Sequence, residues 1–192
     1  LESTFKNADS FVSVLTSWDV SGVTTMKEAF MGAESFDGDI TTWKPNKTTD
    51  MTSMFQGATT FNGAIGNWYT PSLENMKSMF QEAELFDQPL NDWSVNRVTD
   101  MNSAFKNATA FNQDLYSWDT VSVNDMTEMF KGATDMRGDI TGWDVTSVTQ
   151  SSKFANIFAD TSFYNVGNAE AAKRTPIMYW KVNQESITNV AE

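Results

Sequence analysis

The chain has 192 residues, 13 Lys+Arg against 25 Asp+Glu for a net charge of −12, and neither cysteine nor histidine. That balance opposes binding to nucleic-acid phosphates and to anionic lipid. The missing Cys and His exclude disulfides, thiolate chemistry, the common zinc sites and His-based catalytic triads.

The first residues, Leu1 to Phe11 (LESTFKNADSF), already sit in the middle of a repeat, so the sequence reads as a piece of something longer. Trp18, Trp43, Trp68, Trp93, Trp118 and Trp143 recur every 25 residues, and so do Phe5, Phe30, Phe55, Phe80, Phe105 and Phe130. Further columns keep the same ruler: Ala8 to Ala133, Phe11 to Met136, Leu15 to Ile140, and Leu1 followed by five methionines ending at Met126. Six units therefore fill residues 1–150, and they carry the whole charge excess, with 9 basic and 21 acidic residues. No stretch approaches the roughly 18 consecutive apolar residues of a membrane span, so this segment is not expected to insert into a bilayer.

Within a unit, Met51, Met54, Phe55 and Ala58 stand at i, i+3, i+4 and i+7, which predicts a short helix with one apolar face. Thr25, Asp50, Asn75, Asp100 and Asp125 read as its N-caps, with Asp125 and Glu128 as a capping box. Asn7, Gly32, Gly57, Asn107 and Gly132 suit the left-handed residue that ends a helix, and only Glu82 departs. Alternating runs such as Trp18-Asp19-Val20-Ser21-Gly22-Val23 predict one short parallel strand per unit. A unit this small cannot bury its own apolar face, so the units must stack. The expected fold is an α/β, leucine-rich-repeat-like solenoid with one short helix and one short parallel strand per coil. At Gln150 the cap position and the aromatic phase fail together, and residues 151–192 read as a degenerate C-terminal capping segment carrying Phe154, Ile157, Phe158, Phe163 and Pro176-Ile177-Met178-Tyr179-Trp180.

The motifs Met129-Phe130-Lys131-Gly132-Ala133, Phe111-Asn112-Gln113-Asp114-Leu115 and Trp18-Asp19-Val20-Ser21-Gly22-Val23-Thr24 together resemble the repeat of BspA-like surface proteins. Mycoplasma and listerial lipoproteins carry the same repeat as a domain of unknown function. The resemblance covers residues 1–150. It implies a leucine-rich-repeat-like module displayed outside the cell, an adhesive role toward protein or glycan, and no catalytic residues.

The Trp column reads as a core ladder, since large aromatics supply most buried area. Asp37, Asn62, Asp87, Asn112 and Arg137 alternate charged with neutral, which avoids stacked like charges; capping of the coil comes first for them and ligand binding second. Asp114 with Asp139, and Asp119 with Asp144, place carboxylates in successive coils, a pattern that suits calcium. Arg137-Gly138-Asp139 matches the tripeptide that adhesion receptors recognise, although Gly138 and Asp139 repeat Gly38 and Asp39. Thr24, Thr49, Thr99 and Thr149 form a broken threonine column, a remote pointer to ice binding. Asn46-Lys47-Thr48 and Asn107-Ala108-Thr109 are glycosylation sequons. Nothing interrupts the period in the manner of an active-site loop. The expectation is therefore a non-catalytic extracellular module that binds a protein or glycan at a cell surface, with a structural spacer as the alternative.

Overall fold

The computed structural model describes residues 1–161. The backbone of each unit is best read from residues 26–33. Ala29, Met31 and Ala33 donate their amides three residues back, to the carbonyls of Met26, Glu28 and Phe30, at 3.1–3.2 Å. The intervening amides leave the coil altogether: Met26, Glu28, Phe30 and Gly32 donate to Asp50, Thr52, Met54 and Gln56 of the next coil, at 2.7–2.9 Å. Every amide in the segment is used: three in tandem turns, four between coils, and that of Lys27 by the Thr25 hydroxyl. An α-helix would instead need each N–H to reach four residues back.

The reason lies in two backbone positions that recur in each coil. The third residue has positive φ in Glu28, Ser53, Ser78, Ser103 and Glu128, at 52–55°. The seventh does so in Asn7, Gly32, Gly57, Glu82, Asn107 and Gly132. A left-handed L-residue costs about 1–2 kcal/mol, and a buried amide left without a partner costs a similar amount. The inter-coil bonds therefore offset the strain that makes them geometrically available.

This overturns the expected α/β leucine-rich-repeat-like solenoid. Among the described residues the only helical segment is a 3-10 turn at Ser151–Phe154. Strand-type pairing occurs only as isolated parallel bridges, such as Thr25 with Asp50 and Asn75 with Asp100, and no sheet forms. The apolar face survives the correction, because Met51, Met54, Phe55 and Ala58 are all fully buried. The cap column survives in altered form. Asp50, Asn75, Asp100 and Asp125 accept the amide two residues on at 2.8–3.0 Å, starting a turn and not a helix. The capping box does not form: Glu128 accepts instead from Lys106 at 2.6 Å and Lys131 at 2.8 Å.

Inside the stack the aromatic columns pack face to face. Phe30, Phe55, Phe80, Phe105 and Phe130 lie 5.3–5.7 Å apart from coil to coil, and Phe36, Phe61, Phe86 and Phe111 lie 5.8–6.0 Å apart. The tryptophans form the third column and also tie coils together. Trp43, Trp68, Trp93, Trp118 and Trp143 each donate the indole N–H to the carbonyl of the aliphatic residue 28 positions earlier, at 2.8–3.2 Å. A buried indole with its hydrogen bond met contributes apolar area without an unpaired polar atom. At the corners, where the backbone is irregular, hydroxyls take over. Ser72, Ser122 and Ser147 donate to Asn46, Asn96 and Val121 of the preceding coil.

The period is displaced after residue 150 and continues. Met126, Glu128, Phe130 and Gly132 donate to Lys153, Ala155, Ile157 and Ala159, three residues later than the rule of the other coils requires. Asn156 and Asp160 carry the positive φ of the third and seventh positions, and Phe158 stacks on Phe130 at 5.8 Å. Residues 154–161 thus form the first third of a seventh coil behind a three-residue insertion. Phe163 and residues 176–180 of the expected cap lie outside the described residues.

Candidate functional site

The polar columns divide into those that hold coils together and those that do not. Numbering each coil from 1 to 25, with Leu1 and Met26 at position 1, position 12 is a side-chain ladder. The Oδ1 atoms of Asp37, Asn62, Asp87 and Asn112 accept the backbone amides of Asn62, Asp87, Asn112 and Arg137 at 2.7–3.0 Å. Each side chain stands in for the carbonyl that an irregular backbone does not present. Asp and Asn do this equally well, so they can alternate and keep like charges out of adjacent coils.

Arg137-Gly138-Asp139 is the last rung of that edge. The Arg137 amide is held by Asn112, and the Asp139 amide by Asp114 Oδ1 at 2.7 Å. Gly138 is buried between them, where an added Cβ would overlap the Gln113 carbonyl oxygen. The tripeptide is a clamped piece of scaffold with the Arg137 and Asp139 side chains exposed.

The calcium candidates do not form one group. Asp114 and Asp139 lie at position 14, Asp119 and Asp144 at position 19 beyond the buried Trp118 and Trp143. Their oxygens are engaged by the protein: Asp139 Oδ1 accepts the Thr141 amide, Asp119 Oδ1 that of Val121, and Asp144 Oδ1 both the amide and hydroxyl of Thr146. Among the described residues no group of three or more acidic side chains could hold a metal ion. The donor set does not fit calcium.

The threonine column lies at the surface and links coils, since Thr49 and Thr99 donate their hydroxyls to the carbonyls of Thr24 and Glu74 of the preceding coil. In the sequon at Asn46, Thr48 is buried and its hydroxyl donates to Val23 at 2.8 Å. In the sequon at Asn107, the asparagine holds the left-handed position and packs over Gly132.

Charge is segregated by position. Along positions 9–14 the stack carries Asp9, Glu34, Asp37, Asp39, Glu84, Asp87, Asp114, Asp135 and Asp139 against one cation, Arg137. Thr41 donates its hydroxyl and amide to Asp39 and holds that carboxyl below its ordinary pKa. Cations collect on the turn-rich segment, where three of them are paired: Lys6 meets Glu28 at 2.7 Å, and Lys106 with Lys131 holds Glu128 down to about pKa 2.

One acidic pair is less comfortable. Asp100 lies half-buried one coil from Asp125; burial raises its carboxyl pKa, the Asn102 amide works against that, and the Asp125 charge adds to it. Asp125 itself is pushed up by burial but ends below its ordinary value because Lys153 Nζ lies 2.5 Å from Oδ2. A carboxyl whose pKa is raised on folding loses stability as pH climbs above the unfolded value of 3.8. Asp100→Asn keeps the acceptor for Asn102 and copies Asn75 of coil 3. It is expected to raise the melting temperature at pH 7, with the gain disappearing below pH 3.8; an unchanged melt at pH 7 would count against the burial cost.

A surface that periodicity alone did not reveal lies at positions 19–22. The sequence signal was present: position 19 is Asp in coils 1, 5 and 6, but Lys44, Tyr69 and Ser94 in coils 2–4.

Comparison with known proteins places these coils in a family. No curated protein and no solved structure matches the chain. The family described as "Mycoplasma protein of unknown function, DUF285" matches twice, over residues 1–93 and again over 63–171. The second match runs past residue 150, across the displaced seventh coil. Since the two matches together span most of the sequence, the chain belongs to this mycoplasma-type repeat family of unknown function.

Proposed function

We infer that this chain is a non-catalytic binding module of the BspA-like surface type, acting outside the cell in adhesion to a protein or glycan partner. The observation that carries the reading is the edge at positions 9–14, with nine carboxylates and one cation along six coils. Elsewhere the repeating polar residues close turns or hold coil to coil. Here the charges exceed what the scaffold uses, since Asn serves the ladder as well as Asp does. Such an edge steers and orients a partner with a basic surface, and its effect weakens with salt. The resemblance of the repeat to surface proteins supports the extracellular setting.

The test replaces Glu34→Gln, Asp37→Asn, Glu84→Gln and Asp87→Asn together, which removes four charges and keeps every ladder acceptor. Attachment of the immobilised chain to cells and matrix proteins is expected to fall at least about tenfold, with unchanged melting. Attachment that survives the substitution removes the acidic edge as the contact surface. Absence of attachment in the unaltered chain would leave a structural spacer as the better account.

A further inference from the structure

We propose that the corner at positions 19–22 of coils 2–4 is a binding surface for a carboxylated sugar, with Tyr69 as the stacking platform and Lys44 and Lys47 as the charges that receive the carboxylate. This goes beyond the acidic edge, which lies on another part of the coil and calls for a partner of opposite charge.

Three observations converge on the corner. First, the structural residue has been given up there. In coils 1, 5 and 6, Asp19, Asp119 and Asp144 at position 19 close the turn by accepting the amide at position 21, at 2.9–3.3 Å. In coil 3 position 21 is Pro71, which has no amide to donate, and position 19 is released to become Tyr69. In coil 2 the turn closes through the backbone, Asn46 donating to Lys44 and Thr48 to Pro45, and position 19 becomes Lys44. Second, the released side chains point to water. Tyr69 is 62% exposed, more than any other aromatic residue among those described, and Lys44 and Lys47 are exposed and form no ion pair with any described residue. Third, the charge runs against the molecule. Of the nine cations in residues 1–150, Lys44, Lys47 and Arg97 share this corner, and Arg97 is already paired with Glu74 at 2.5 Å.

An exposed phenol ring with lysines in the adjacent coil suits a sugar better than a peptide. A ring face offers apolar contact to one face of a pyranose, and its hydroxyl meets polar groups at the rim. An acidic peptide is received by a cluster of arginines, and the one arginine of this corner, Arg97, is already engaged by Glu74. Phosphate polymers would meet the net charge of −12 over a much longer contact.

The test titrates the full chain with oligogalacturonate, using neutral galacto-oligosaccharide and polyglutamate as comparisons, by calorimetry and by the NMR shifts of the Tyr69 ring. Oligogalacturonate is expected to bind and to move Tyr69, and Tyr69→Ala or Lys44→Gln with Lys47→Gln should each weaken it at least about tenfold without changing the melt. Tyr69→Phe should retain binding. No binding of oligogalacturonate, binding that Tyr69→Ala leaves intact, or equal binding of polyglutamate would overturn the proposal. The acidic-edge variant should bind the sugar as the unaltered chain does, so a failure here and a failure of the adhesive reading are told apart.

Discussion

Gly138→Ala is expected to destabilise the chain by about 2–3 kcal/mol, in the range of overpacking substitutions that force backbone to move. The cause is a single close approach. The backbone of coil 6 passes so near that of coil 5 that a methyl group on Gly138 would occupy the place of the Gln113 carbonyl oxygen. The coils can relieve this only by separating, which lengthens the ladder bonds on both sides, from Asn112 to Arg137 and from Asp114 to Asp139. Gly22→Ala is the control, because nothing lies within 4 Å of the new atom and the backbone there is ordinary; its effect should stay within about 0.5 kcal/mol. Urea unfolding followed by tryptophan emission reads both variants. Equal midpoints would mean that the coils are not in backbone contact at this edge. The same comparison bears on any adhesion assay: loss of attachment on replacing Gly138 would report a disturbed scaffold, whereas Arg137→Ala leaves the close approach at Gly138 untouched.

Phe80→Ala should cost about 3–5 kcal/mol, the range for removing a fully buried aromatic ring. Phe80 stacks on Phe86 within its coil at 4.1 Å and lies between Phe55 and Phe105 at 5.7 and 5.3 Å. Its loss therefore opens a cavity in the middle of a continuous column. In a stack where each coil touches only its neighbours, a defect at the centre also uncouples the two halves. Unfolding of Phe80→Ala should then broaden or split into two transitions. Phe5→Ala, made in a coil where the ring is only partly buried, should cost much less and leave the transition single. If the two variants unfold alike, the column does not act as a chain of nearest neighbours.

The columns were legible in the sequence because burial recurs with the coil, whatever backbone carries it. Met51, Met54, Phe55 and Ala58 were assigned to one inward face, and all four are buried. Their helix was not legible as an error, since tandem turns place residues inward at the same spacing. What decided between the two was the third position, where Ser53, Ser78 and Ser103 adopt a left-handed backbone. Serine gives no local signal for that conformation, in contrast to the glycines at the seventh. The strands failed for a related reason. Alternating residues around Val20 suggested sheet pairing, but the corners bond through serine and threonine hydroxyls, which propensity does not register. The Asp and Asn of position 12 were correctly placed as caps of the coil, because a short side-chain acceptor has few other uses at a turn. The displaced seventh coil escaped notice because a three-residue insertion hides a pattern sought at fixed spacing.

The alternate amides of Met26, Glu28, Phe30 and Gly32 all point the same way along the stack, and the same is true of the equivalent residues in coils 3–6. Within that segment a coil offers donors on one side and acceptors on the other. The array is thus a polar object, like a row of coupled wagons with a hook at one end and a ring at the other. A unit can be gained or lost without altering the chemistry of the remaining couplings, so length can drift in whole steps of 25 residues while the fold stays the same. Two identical faces, by contrast, cannot couple through this segment. Its geometry gives the protein a direction.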